Sequence, residues 1–307
     1  MKDSNNSKLL ITGTVAFDDI ETPNGSSGKI IGGAGTYIAL AASIFSKRIS
    51  LISVIGDDFL EEDIKMLQLK SINTDMIERI DGEKSFYWKG RYHSNFKTRD
   101  TLVTELNALE KFNPAVNQSS KNADIVILGN LHPNVQLSVL DQLESNKSFV
   151  ILDTMNFWMD TALDELKRVL LKTDLIIIND EEVEQLTSEQ NLCVAAQKIL
   201  EMGPKILIVK KGDKGSEIFN HKESFHIPAY TIQSVIDPTG AGDCYAGGLA
   251  GYLSTQDQID FKSIKKSMIY GTIIASYCVE NFGVKGVQGL DFLDIEKRLE
   301  IFKPYLV

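Results

Sequence analysis

Six short runs rich in β-branched residues constrain the fold of this chain more than any other feature. They are KLLITG (8 to 13), ISLISVIG (49 to 56), DIVILGN (124 to 130), FVILD (149 to 153), DLIIIND (174 to 180) and KILIVKKG (205 to 212). Each is nearly continuously apolar rather than alternating, which is the pattern of a strand covered on both faces, as in a parallel sheet. Stretches of helical period lie between them at 35 to 47, 60 to 71, 133 to 144, 160 to 172 and 191 to 202, and three more follow residue 240. This alternation predicts a doubly wound, mostly parallel α/β sheet flanked by helices. Ligands of such sheets bind beyond the carboxyl ends of the strands, so Asn130, Asp153 and Asn179 converge on one candidate site. The chain has 307 residues, 43% of them hydrophobic, enough for one large core, and a single domain over 1–307 is expected.

Two stretches break the rhythm, DIETPNGSSGKII (19 to 31) and KSFYWKGRYHSNFKTRDTLVT (84 to 104). Turn formers in the first and alternating aromatic and polar residues in the second predict a small antiparallel β lid. Phe86, Trp88 and Tyr92 share one face of the second stretch, and Tyr87 and Arg91 the other. Either the aromatic face packs on the domain, or one of its rings covers a bound acceptor by stacking.

A net charge of −10 argues against binding nucleic acid through its phosphates. Cys193, Cys244 and Cys278 stand far apart, with neither a disulfide framework nor zinc-ligand spacing, so a cytoplasmic setting is expected. The start MKDSNNSK is polar, and no apolar run reaches the roughly 20 residues of a membrane span, so no membrane segment is expected. The histidines His93, His132, His221 and His226 form no HExxH pair.

The run DPTGAGDCYAGGLAGYL (237 to 253) carries the chemistry. A Gly-Ala-Gly turn that opens a helix leaves backbone N–H groups free at the positive end of the helix dipole, which makes an anion site. Asp243 then lies in the first turn, where it either favours the dipole or accepts the proton of a hydroxyl attacking a phosphoryl group. Gly247, Gly248 and Gly251 each cost a helix about 1 kcal/mol relative to alanine, so close packing is expected there. The chain has no GxxxxGK[ST] P-loop, and GGAGTY and GAGDCY both lack the third glycine of the dinucleotide fingerprint.

DPTGAGD resembles the D-T-x-G-A-G-D signature of the ribokinase or PfkB family of carbohydrate and nucleoside kinases. GTVAFD (13 to 18), GGAGTYIALAAS (32 to 43), IGDD (55 to 58), NDEEVEQLT (179 to 187) and KKGDKGSEIF (210 to 219) follow in the family's order. The resemblance implies a ribokinase-like fold and ATP-dependent phosphorylation of a hydroxyl, with lid closure expected to exclude water.

Carried over residue by residue, the resemblance implies Asp243 as general base and Gly240, Ala241 and Gly242 as the anion hole. Asp18, Gly32, Gly33 and Tyr37 would hold the acceptor. Asn179 and Glu182 would hold hydrated Mg²⁺ and the phosphates, and Lys210 with Gly212 and Gly215 would flank ATP. A monovalent cation, K⁺, would lie beside Asp237 and the backbone of 280 to 283. The implied acceptor is a primary alcohol of a sugar, polyol or nucleoside. A nucleotide-binding regulator without turnover is the rival reading, and the family leaves room for a homodimer joined through the lid.

The chain departs from the ribose-specific pattern G-G-K-G-A-N, with Ala34 for the lysine and Tyr37 for the asparagine, which predicts an acceptor other than ribose. Glu61 and Ser71 replace two further glycines and are expected to be variation on the helix surface. TMNFW (154 to 158) replaces an asparagine-proline-arginine run, leaving Asn156 or Trp158 either at the pocket or in the core.

Overall fold

A computed structural model describes residues 8–144 and 147–306; the polar start at 1–7 lies outside them. The first half contains β1 (Leu9–Thr12), β2 (Ala16–Thr22), β3 (Gly25–Gly32), α1 (Ala34–Ala42), β4 (Ile49–Ile55), α2 (Glu61–Leu69), β5 (Ile72–Arg79), β6 (Tyr87–Tyr92), β7 (Arg99–Glu105), β8 (Ile125–Leu128), α3 (Pro133–Asp141) and β9 (Phe149–Asp153). The second half contains α4 (Asn156–Thr161), α5 (Leu163–Leu170), β10 (Leu175–Asn179), α6 (Asp180–Thr187), α7 (Leu192–Glu201), β11 (Ile206–Lys210), β12 (Ser216–Phe219), β13 (Ser224–Ile227), α8 (Ala241–Leu253), α9 (Phe261–Cys278), α10 (Lys285–Gln288) and α11 (Phe292–Leu299).

Nine strands form the main sheet in the order β13-β12-β11-β10-β9-β8-β1-β4-β5. Neighbours from β11 to β5 are parallel, and β12 and β13 close one edge as antiparallel strands. All six apolar runs are strands of this sheet. Their lack of alternation follows from burial on both sides: Ile11, Ile127, Ile177 and Ile208 point into one core, and Leu10, Val126, Ile176 and Leu207 into the other. The winding reverses beside β1, which opens the carboxyl ends of β1 and β8 to β11 onto a common crevice.

Four further strands, β3-β2-β6-β7, make the lid. Two antiparallel hairpins, β2–β3 and β6–β7, are joined through a parallel β2–β6 pair. Phe86 precedes β6, so the aromatic face of the strand itself is Trp88 and Tyr92.

The structure departs from the expectations in a few places. Residues 160 to 172 are not one helix, because the chain breaks at Ala162 between α4 and α5. Four α-helices rather than three follow residue 240, α10 being a single four-residue turn too short to show a period. Ser71 is not simple surface variation. It follows α2 with φ 62, its N–H closing the turn on the Gln68 carbonyl at 2.9 Å, in the left-handed position where helices favour glycine. Ser71→Gly is therefore expected to raise stability by about 1 kcal/mol without changing activity, measured by urea unfolding.

Candidate functional site

Gly240 adopts the left-handed conformation, φ 77, and caps α8. An added Cβ there would stand 2.5 Å from the Tyr37 ring, so the loop lies directly on that ring. Asp237 fixes the approach to it. Its carboxylate is wholly buried, Oδ1 accepting the Thr239 N–H at 2.8 Å and Oδ2 the Gly283 N–H at 3.2 Å. The Ala241 N–H donates to the Pro238 carbonyl at 3.2 Å, whereas those of Gly240 and Gly242 donate to no group among the described residues. Two of the three expected anion-hole residues therefore present free amides, at the positive end of a 13-residue helix. Gly247 and Gly251 let α8 approach α1, and Gly248 lets it approach α9, the close packing that their helix cost required.

Asp243 lies in the first turn of α8. Burial, reinforced by Asp153 and opposed by Lys210, pushes its pKa up to about 7. Asp153, Asn179 and Lys210 end three adjacent strands, β9, β10 and β11, and Lys210 Nζ pairs with Asp153 Oδ1 at 3.0 Å. The expected N-x-x-E pair is a capping box: Asn179 Oδ1 accepts the Glu182 N–H and Glu182 Oε2 accepts the Asn179 N–H, both at 2.8 Å. Burial pushes Glu182 up to about 7, while Lys210 pulls it down. Gly212 and Gly215 shape the turn after β11, whose Lys211 N–H bonds the Gly215 carbonyl at 2.8 Å.

Asp18 reaches the same crevice from β2. It is nearly buried and accepts a hydrogen bond from the Gly33 backbone, yet burial still pushes its pKa up to about 7. A Cβ on Gly32 would fall 1.8 Å from Asp18 Oδ2, so only glycine admits this carboxylate. Tyr37 sits differently from the acceptor contact expected of it. Its side chain is 1% exposed, its hydroxyl is buried without a hydrogen bond, and its ring forms the floor under Gly240 rather than an open wall.

The lid closes over this crevice. Thr239 Oγ1 donates to the Tyr92 hydroxyl at 3.2 Å, Asn24 Nδ2 to the Val235 carbonyl at 2.6 Å, and Lys97 pairs with Asp213 of the turn after β11 at 3.1 Å. Trp88 pairs with Asp18 in register and so shares its face. Its indole lies across Gly90, where a Cβ would stand 2.1 Å from Cη2, and its Nε1 donates to Thr101 Oγ1 at 3.3 Å. Trp158 instead holds Asn130, donating from Nε1 to Oδ1 at 2.8 Å. Sequence reasoning missed Arg99, a lid residue whose charge reaches Glu182 and Tyr92. No period or motif marks it, because its approach to α6 exists only once the lid has docked.

A family model described as pfkB family carbohydrate kinase matches residues 12–288. The chain belongs to that family. Among its relatives, a cytidine kinase of Thermococcus kodakarensis is 25% identical over 252 residues, 80% of this chain and 88% of that protein. A solved nucleoside kinase of Methanocaldococcus jannaschii, an archaeal member of the ribokinase family, has a TM-score of 0.77 at 23% identity, covering 97% of this chain and 100% of that one. A similar Escherichia coli structure, solved with ATP and Mg²⁺, has a TM-score of 0.79 at 19% identity, covering 96% and 99%. This pfkB family member is a kinase that uses ATP. Among its described residues no helix is long and apolar enough to cross a membrane.

Gly240→Ala is expected to lower kcat/KM by at least about tenfold, because the new Cβ both strains the loop and strikes Tyr37. The double variant with Tyr37→Ala, which removes the struck ring, should recover part of the thermal stability in a melting assay.

Proposed function

We propose that this kinase transfers the γ-phosphoryl group of ATP to a primary hydroxyl of a sugar or sugar-like acceptor, with Asp243 as general base. The observation that carries this is the placing of Asp243 in the first turn of α8, directly after two free amides, with Asp18 facing it electrostatically from the lid side. Phosphoryl transfer needs little covalent chemistry from protein; it needs positioning, a proton acceptor and donors for the charge in flight. Gly240 and Gly242 supply the donors, Asp18 with the Gly32–Gly33 backbone holds the acceptor, and the turn at Gly212 and Gly215 with Asn179 borders the nucleotide. The lid excludes water, which limits wasteful hydrolysis of ATP.

The donor chemistry fits Mg²⁺. Glu182 offers a hard carboxylate whose Oε1 accepts no hydrogen bond, and Mg²⁺ takes one or two such groups while keeping waters and phosphate oxygens. When bound with ATP, the ion neutralises the phosphate charge. A potassium site beside Asp237 belongs to the same proposal, since this buried carboxylate has no basic side chain among the groups that shift it; replacing K⁺ by Na⁺ should lower turnover. The protein is proposed to work in the cytoplasm, as a homodimer through β7, a lid edge exposed along its whole length.

A nucleoside acceptor is the second reading, favoured by Trp88, whose indole lies across Gly90 on the face it shares with Asp18 and offers a stacking surface. Two of the relatives named above are a cytidine kinase and a nucleoside kinase, which agrees with it.

Phosphorylation by ATP across pentoses, hexoses, polyols, inositols and nucleosides tests both readings. Transfer to nucleosides alone would displace the sugar, and binding of ATP with no product from any acceptor would favour a regulator. Asp243→Asn should lower kcat by about 10²- to 10⁴-fold with the affinity for ATP within about threefold of wild type. Near wild-type turnover would refute the base assignment.

A further inference from the structure

The carboxyl edge of the sheet sets one ammonium among several acids, at the mouth of the anion loop. Lys210 closes β11 and stands in register with Asn179 of β10. Its Nζ is 3.0 Å from Asp153 Oδ1 at the end of β9. It also reaches α8: a Cβ built on Gly242 would stand 2.9 Å from the same Nζ. The ammonium therefore lies against the helix N-terminus beside one of the two free amides, one residue before Asp243. A cation at the positive end of a helix is unfavourable by itself. Anchoring a strand end does not explain that position, whereas an incoming anion does.

We propose that Lys210 is a catalytic residue of the phosphoryl transfer: its ammonium turns from Asp153 to the oxygens of the transferring phosphoryl group and stabilises their charge together with the amides of Gly240 and Gly242. This rests on the kinase reading above and goes beyond bordering the nucleotide. In the step, the bond from the acceptor oxygen to the γ-phosphorus forms. The bond from the γ-phosphorus to the β–γ bridging oxygen breaks, and its electron pair leaves with ADP. The acceptor proton passes to the Asp243 carboxylate, and Lys210 keeps its protons throughout. A lysine suits the task because its ammonium is a compact charge on a flexible stem, with three donors that can exchange one anion for another. Asp153 is a positioning residue that holds the ammonium until the phosphate arrives.

The same charge acts on the base. Asp243 faces Asp153 from β9, Lys210 from β11 and Asp18 from β2. Burial, Asp153 and Asp18 all disfavour its ionised form, and Lys210 opposes them. Without the ammonium, Asp243 loses its proton only at higher pH, so the acid limb of kcat/KM moves upward.

Lys210→Met tests the role, with folding checked by calorimetric binding of ADP. The expected result is a fall in kcat of about 10²- to 10³-fold with KM for ATP changed by less than about threefold, and an acid limb moved to higher pH. Lys210→Arg, which keeps the charge and Asp153's partner, should hold the limb at its wild-type position and recover part of kcat. A kcat of wild-type size, a loss confined to KM for ATP, or an unmoved limb in Lys210→Met would each overturn the proposal. Should Lys210→Met not fold, Lys210→Met with Asp153→Asn removes the stranded carboxylate and is judged on the same kcat and KM split. Failure of the kinase reading is distinguishable, because wild-type protein would then form no phosphorylated product.

Discussion

Three acids, Asp153, Glu182 and Asp243, crowd one lysine at the carboxyl edge of the sheet, with Asp18 acting on Asp243 from the lid, and the site depends on that imbalance. Desolvation holds Asp18, Glu182 and Asp243 up at about 7, above the ordinary carboxylate range. The folded chain consequently binds more protons than the unfolded chain between that range and about 7, and these groups subtract stability as pH rises through the window. Below the ordinary range the carboxyls are protonated in both states and the penalty is absent. Burial also works against the Lys210 ammonium, but Asp153 and Glu182 outweigh it and push its pKa up. A buried ion pair of this kind is weak as a source of stability. Under the proposed mechanism its value lies in keeping a positive charge where a polyphosphate would enter.

The scaffold fixes this arrangement from below. α8 is wedged between α1 and α9 through contacts that no side chain at Gly247 or Gly248 would permit. The height of its first turn is thus set by two helices rather than by the loop that precedes it. Tyr37 fills the space under Gly240, and Asp237 ties the loop to Gly283, so the free amides are held before any ligand arrives. Preorganisation of this sort is what makes backbone donors effective at a developing charge.

Much of this was legible in the sequence. Six apolar runs became six strands because burial on both faces leaves a signal that needs no alternation to read. The strands that went unread are those without it: β5, INTDMIER, buries only Ile72 and Met76, and β13 is a four-residue strand at the sheet edge. The string DPTGAGD marked Asp243 and the turn, since a glycine with positive φ before a helix is a local property. Tyr37, expected at the acceptor, has its ring under Gly240, a direction that its position in the motif does not reveal. The pairing of Lys210 with Asp153, 57 residues away, was equally unreadable, although Asp153 is expected at the crevice from its strand end and Lys210 beside ATP from the resemblance.

In the proposed mechanism catalysis and recognition are built on different parts of the chain, and this explains why the acceptor is the harder question. The proposed base Asp243, the free amides and Lys210 belong to α8 and the sheet edge, whose geometry is locked by packing. The surface proposed to cover the acceptor is the lid, held to the domain by contacts such as Tyr92 with Thr239, Asn24 with Val235 and Lys97 with Asp213. Trp88 rests on Gly90, Thr101 and Arg99, all lid residues, so its ring can be exchanged without touching α8 or the strand ends directly. A site organised this way can change what it phosphorylates while keeping how it phosphorylates. Acceptor choice must therefore be sought in the shape of the lid rather than in the motif that reveals the kinase.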